Sequence, residues 1–189
     1  MPLSEVCKDV EVVQELKTQL PGSLISEGAT TTSALDGLRD HQFVHFICHS
    51  TLEISKPFDA GFVLHGNERL TLLDIVRSRL PAAEFAFLSA FHTAELTDGS
   101  SADEGLHLAA AVQYCGFRSV VGTMWAVVNE DGQVVAKHFY KSMFPRREQG
   151  DPVPYYKRSA VALRDAVKKL RKKRGVTLER WVNFVHYGA

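Results

Sequence analysis

The sequence predicts an α/β fold in which a mostly parallel central sheet is covered by helices on both faces. Short runs of aromatic and β-branched residues alternate with segments of helical periodicity, the pattern of βαβ units joined by right-handed crossovers. The 189 residues are 45% apolar and 10% aromatic, enough to bury a sizeable core. No repeat or low-complexity tract breaks the pattern, so residues 1–189 read as one domain.

Val6, Val10, Val13, Leu16 and Leu20 recur at helical steps, giving a first helix that ends before Pro21 and Gly22. Residues 23–26 form a weak strand. A second helix over 30–38 starts at a capping threonine or serine and turns Ala34, Leu35 and Leu38 inward. The apolar run 43–48 is a buried strand and 61–65 another. Thr71 and Asp74 match a capping box, in which each side chain satisfies the other's backbone amide. The helix they start runs to Leu80, where Pro81 stops it.

Residues 84–90 make the strongest core strand. A polar loop to Asp103 leads into an alanine-rich helix over 105–114, closed by Gly116. Residues 119–125 supply the last clear strand and 131–144 a further helix. The charged, proline-rich stretch 145–154 is a surface loop. It separates the sheet-based core from a helical C-terminal segment, 155–189.

Formal charges cancel, with 22 Lys and Arg against 22 Asp and Glu, which argues against a nucleic-acid module. The longest apolar runs fall far short of the ~18 residues of a membrane span. Cys7, Cys48 and Cys115 form an odd set without CxxC spacing, and no signal-peptide pattern opens the chain, so we expect an intracellular, cytoplasmic protein.

Open α/β sheets bind ligands beyond the carboxyl ends of their strands, which directs attention to His49 and Ser50, to Phe91 and His92, and to Trp125 onward. His49 stands where a general base would; a structural histidine bonded to a backbone carbonyl is the alternative. Cys48, its neighbour, points to the opposite face of a strand and reads as a small core residue, as does Cys115. His41, His45 and His49 have helical metal-ligand spacing, but on a strand four residues span roughly 13 Å, too far for shared coordination. Ser89 lacks the nucleophile-elbow pattern and reads as a hydrogen-bonding residue. The basic run 168–174 reads as a solvated helix face, with docking of an acidic partner as the alternative.

Several stretches together resemble one family. Val44-His-Phe-Ile-Cys-His49, Leu70-Thr-Leu-Leu-Asp-Ile75, Phe87-Leu-Ser-Ala90 with Thr93-Ala94, Asp103-Glu-Gly-Leu106 and Gly116-Phe-Arg-Ser-Val-Val-Gly-Thr-Met-Trp125 look like the CHAT domain. The likeness extends through Trp181-Val-Asn-Phe-Val-His-Tyr-Gly188 and covers roughly residues 10 to 188. CHAT domains are caspase-like cysteine peptidases related to separase and often attached to tetratricopeptide repeats. The resemblance implies a caspase-like three-layer αβα sandwich, no cofactor, and a Cys-His dyad acting on a peptide.

By that resemblance the histidine is His49. The cysteine position falls on Phe91, because Leu88-Ser-Ala-Phe-His-Thr-Ala94 matches the family pattern everywhere else. A phenyl ring has no lone pair for a scissile carbonyl, so the expected nucleophile is missing. Ser50 stands where the family has a glycine whose amide faces the oxyanion, which puts that hole in question. Asp131, or Glu130 beside it, is the expected acid for a charged substrate side chain; a place in a helix's first turn is the alternative for either.

The expected function is therefore a catalytically inactive peptidase-like module that binds a peptide or protein. The alternative is a cysteine endopeptidase whose nucleophile has been replaced by Phe91, naturally or by design. Family members usually begin with a further strand, so we also expect a piece of a larger protein, associated with a tetratricopeptide or other N-terminal domain. An unpaired sheet edge in such a piece favours homodimers.

Overall fold

The computed structural model describes residues 28–51, 57–89, 91–92, 103–125, 127–144 and 155–188. The expected helix at 6–20, the strand at 23–26 and the loop 145–154 lie outside these residues.

Helix α1, Thr31–Asp40, begins where Thr30 Oγ1 accepts from the Ser33 amide and Ser33 Oγ accepts from the Thr30 amide. Strands β1 (Phe43–Phe46), β2 (His49–Thr51), β3 (Gly61–Val63) and β4 (Arg69–Thr71) follow. Helix α2, Leu72–Ser78, carries the capping box read from the sequence: Asp74 Oδ2 accepts from the Thr71 amide at 3.0 Å, and Thr71 Oγ1 accepts from the Asp74 amide at 3.1 Å. Strands β5 (Phe85–Leu88) and β6 (Phe91–His92), helix α3 (Asp103–Tyr114), strand β7 (Ser119–Thr123), helices α4 (Asn129–Met143), α5 (Ser159–Arg171) and α6 (Leu178–Val182), and strand β8 (Phe184–Gly188) complete the order.

The main sheet runs β1-β5-β7-β8, its first three strands parallel and β8 antiparallel to β7. Alternation along these strands divides their side chains between two cores. Val44, Phe46, Ala86, Leu88 and Val120 face Leu38 of α1, Leu72 and Ile75 of α2, and Leu108 and Val112 of α3. Phe43, Phe85, Phe87 and Val121 face Val135 and Phe139 of α4 and Leu163, Ala166 and Leu170 of α5. Helices therefore cover both faces of a mixed, mostly parallel sheet, an αβα sandwich of three layers.

A second sheet, β4-β3-β2-β6, is antiparallel except where β6 joins β2. It grows from the first. β1 passes through residues 47–48 into β2, and β6 follows β5 in the chain. Phe46 pairs with Leu88 before the gap and His49 with Phe91 after it, so the offset of 42 residues survives the break.

Some boundaries differ from the sequence reading. Helix α2 stops at Ser78, before Leu80 and Pro81, because Arg79 turns left-handed at φ 48° and its amide bonds back to Val76 O at 3.4 Å. The segment 155–189 is not wholly helical: after α5 and α6 it returns as β8, whose Phe184 enters one core while Tyr187 packs against the other. Gly188, at φ 109°, ends that strand so close to the Arg118 carbonyl that a side chain would overlap it. The apolar run 43–48 yields strand only through Phe46, and 49–51 forms a further strand.

Candidate functional site

His49 opens β2 just past the break, where the main sheet divides. Its Cα partner is Phe91 on one side and Val63 on the other, and Ser50 is likewise paired with His92 and Phe62. Adjacent strands lie about 4.8 Å apart, so the backbone at 49 and at 91 is separated by one strand spacing. The three residues singled out on β2 and β6 are thus brought together. Asp131 stands elsewhere, on α4.

His49 Nδ1 is buried without a hydrogen-bond partner. An unsatisfied buried polar atom costs about 1–3 kcal/mol. Ser50 is 1% exposed and sits mid-strand. Among the described residues only Asn67 and Arg79 combine a side chain with positive φ, so position 50 makes no demand for a glycine conformation.

A second histidine, which sequence reading considered only as a metal ligand, organises the strand ends. His45 lies on the α4 side of β1, its ring centroid 4.6 Å from that of Phe87 and 5.6 Å from that of Tyr140. Its Nε2 is 2.8 Å from Ser89 Oγ and its Nδ1 3.0 Å from the Tyr140 hydroxyl. Desolvation pushes the imidazole down to about 3 and the Tyr140 phenol upward, so both are neutral at pH 7. One ring nitrogen donates and the other accepts, and either tautomer satisfies both partners. The Ser89 amide also donates to Phe46 O at 2.9 Å. Ser89, two residues before position 91, is fixed by backbone and side chain together.

Ser89, His45 and Tyr140 have the outline of nucleophile, base and orienting group. A base held near pKa 3 has little appetite for a serine proton at neutral pH, so the set works as a brace. The thiols are equally unreactive. Burial pushes Cys48 up to about 12 and Cys115 up to about 11, leaving no thiolate to attack. Both pack with the core around Leu72 and Phe46, and Cys7 lies outside the described residues.

The loop after β7 is held by the C-terminal segment. Asn183 accepts from the Trp125 amide and donates to the Trp125 carbonyl, each at 2.9 Å. Arg180 grips Asp131 through two bonds, Nε to Oδ2 at 2.6 Å and Nη2 to Oδ1 at 2.8 Å. Asp131 is 1% exposed in the first turn of α4, whereas Glu130 beside it is exposed. The carboxylate expected to meet a substrate cation thus meets a guanidinium of its own chain. No signal in the sequence pairs residues 131 and 180, which lie 49 positions apart.

Among the described residues, no cluster of three or more His, Cys, Asp and Glu is placed to hold a metal, and no helix is long and apolar enough to cross a membrane. His41 Nδ1 lies 2.9 Å from Gly37 O and His45 is engaged as above, so those two rings have separate local partners.

The CHAT domain family model matches residues 1–189, the whole chain. No curated protein matches it. With the αβα sandwich and the His49 strand end in place, the chain belongs to the CHAT domain family, a caspase-like, peptidase-related group.

Proposed function

We propose that this CHAT domain is a pseudoprotease: an intracellular, cofactor-free module that binds a peptide or protein in the peptidase cleft without cutting it. One observation carries the reading. Positions 49 and 91 are Cα partners on adjacent parallel strands, the placement a His-Cys dyad needs, and position 91 is phenylalanine. Without a lone pair there is no acyl-enzyme, and what catalysis survives loss of a nucleophile, ~10³- to 10⁴-fold over water, is negligible for a peptide bond.

Binding draws support from β6. It is the edge of its sheet among the described strands, and an extended peptide recognises such an edge through main-chain hydrogen bonds. His49 Nδ1, buried and unpartnered beside that edge, would gain a polar partner if a bound peptide displaced the groups covering it. Release of Asp131 from Arg180 would supply an acid for a cationic side chain.

The second reading, a cysteine endopeptidase silenced by Phe91, is favoured by the same unbroken register. In the unsubstituted form a thiol at 91 would pass its proton to His49, and the thiolate would attack the scissile carbonyl. The leaving amine would then take that proton, and water would release the acyl group. The test compares the native chain, Phe91→Cys, and Phe91→Cys with His49→Ala on a diverse peptide library read by mass spectrometry. We expect no cleavage by the native chain or by either variant, with peptides still retained on the native chain. Cleavage that appears with the cysteine and vanishes with His49→Ala would transfer the assignment to the second reading. Cleavage by the native chain would refute both.

A further inference from the structure

The balanced net charge conceals a division. Residues 132–176 hold 13 Lys and Arg against 3 Asp and Glu, leaving 9 against 19 in the rest of the chain, so a segment at +10 is joined to a remainder at −10. The fold gathers the described part of that excess on one outer layer, because α4 and α5 pack together on the same side of the main sheet.

On that layer Lys137 and Lys141 stand one turn apart on α4, about 6 Å along the axis. Lys168 and Lys169 occupy the last turn of α5, and Lys172 and Lys173 follow it; all six are exposed. Lys169 of α5 and Lys137 and Lys141 of α4 converge on the half-buried His138. After burial, the largest cause, their charges help hold that imidazole below its ordinary pKa. Neighbouring Arg171 is spent differently, its guanidinium 5.5 Å above the Trp181 ring, and Arg164 pairs with Asp165.

We propose that the outer face of α4 and α5, with Lys137, Lys141, Lys168, Lys169, Lys172 and Lys173, docks a short acidic polypeptide segment of a partner protein. Charge complementarity selects the sign of the partner. Size follows from screening: attraction reaches about 8–10 Å at physiological salt, so a segment confined to the patch feels the +10 region alone. A long polyanion running past the patch would meet described residues of net negative charge. The chemistry of the face agrees. The six cations named are lysines, and the strongly exposed aromatics among the described residues, Phe58 and Tyr114, lie on other elements, while the nearby Trp181 ring is only partly exposed and is covered by Arg171.

The test measures anisotropy of a fluorescein-labelled Glu/Asp-rich peptide against the full chain at low salt. A single-stranded oligonucleotide of equal charge and vesicles containing phosphatidylserine serve as comparison probes. Saturable peptide binding is expected, weakening as salt rises. Replacing Lys168, Lys169, Lys172 and Lys173 with Glu should cost roughly tenfold or more in affinity, whereas Arg at the same four positions should stay within about twofold. Circular dichroism checks that both variants fold. The His138 imidazole, followed by NMR, should titrate at higher pH with peptide bound, because the lysine charges are then neutralised. The proposal is overturned if the peptide does not bind, if the oligonucleotide or vesicles bind more tightly, or if the Glu variant binds the peptide as well as the native chain does.

Discussion

Lowering the pH from about 7 to about 4 should destabilise the native chain more steeply than a His45→Gln variant. His45 carries no charge in the folded protein, where burial brings it down to about 3, but an unfolded histidine takes up a proton near 6.5. Between those values the unfolded state binds the extra proton, so stability rises with pH; it is fully present above about 6.5 and is lost as the pH falls toward 3. One proton is worth about 1.4 kcal/mol per pH unit, or about 3 kcal/mol at pH 4. Part of the residue remains exposed, and solvent screening of that edge brings the expected loss to about 2 kcal/mol, a large share of the 5–15 kcal/mol typical of a domain.

Glutamine does not titrate, yet it offers a donor and an acceptor to Ser89 and Tyr140. The variant will be weaker at neutral pH by about 1 kcal/mol of imperfect hydrogen bonding. The informative quantity is the slope. Urea denaturation at several pH values gives stability for both proteins, and the gap between them should close by about 2 kcal/mol on the way to pH 4. His138 and His186, both also held below their ordinary values, are common to the two proteins and cancel. Parallel curves would show that folded His45 accepts protons as readily as an unfolded histidine, and the account of it as a neutral brace would be wrong.

Two further substitutions probe the supports of the site. Arg180→Met removes the cation from a carboxylate that is 1% exposed, and should cost about 3 kcal/mol in urea denaturation, with Asp131→Asn in the same chain recovering part of the loss. A loss below about 0.5 kcal/mol would show that the pair behaves as a surface ion pair. Gly61→Ala should cost about 3 kcal/mol or more, because a methyl group there overlaps the Leu70 carbonyl across the β3–β4 pair; an unchanged melting midpoint would show that the two strands do not approach so closely.

Where structure follows from neighbours in sequence, it was legible. The Thr71 and Asp74 box needs four residues, and it predicts the start of α2 correctly. The apolar run 84–90 marks a core strand, although its uniform apolarity does not say that Phe85 and Phe87 go to one core and Ala86 and Leu88 to the other. Strands β2 and β6, with three and two residues, are too short to show a period, and they exist because a partner at matching register continues beside them. β8 was hidden by the helical, highly charged stretch before it, and needs β7 as a template. The His45 brace was unreadable for the same reason at longer range: its partners stand 44 and 95 positions away, and only the closure of α4 over β1 brings Tyr140 to the ring. The strand-end rule pointed to His49 and Phe91 separately, and only the resemblance joined them as a pair, since no spacing rule joins residues on different strands.

The case for a silent cleft rests finally on what else near position 91 could attack a carbonyl. Cys48 is adjacent to His49 in sequence, but its thiol packs into the α1–α3 core, and the burial that pushes it up to about 12 removes the thiolate. Ser89 has a histidine at 2.8 Å, but the packing of Phe87 and Tyr140 that fixes this ring also strips it of basicity. Ser50 is beside His49, yet it is 1% exposed at the centre of a paired strand, where an incoming carbonyl has no approach. Among the described residues, each of these three is held back by the same burial that stabilises the sandwich. Under the proposed function the chemistry would be concentrated at position 91, where the paired strands keep their register, and a phenylalanine there would leave the architecture intact while supplying no nucleophile.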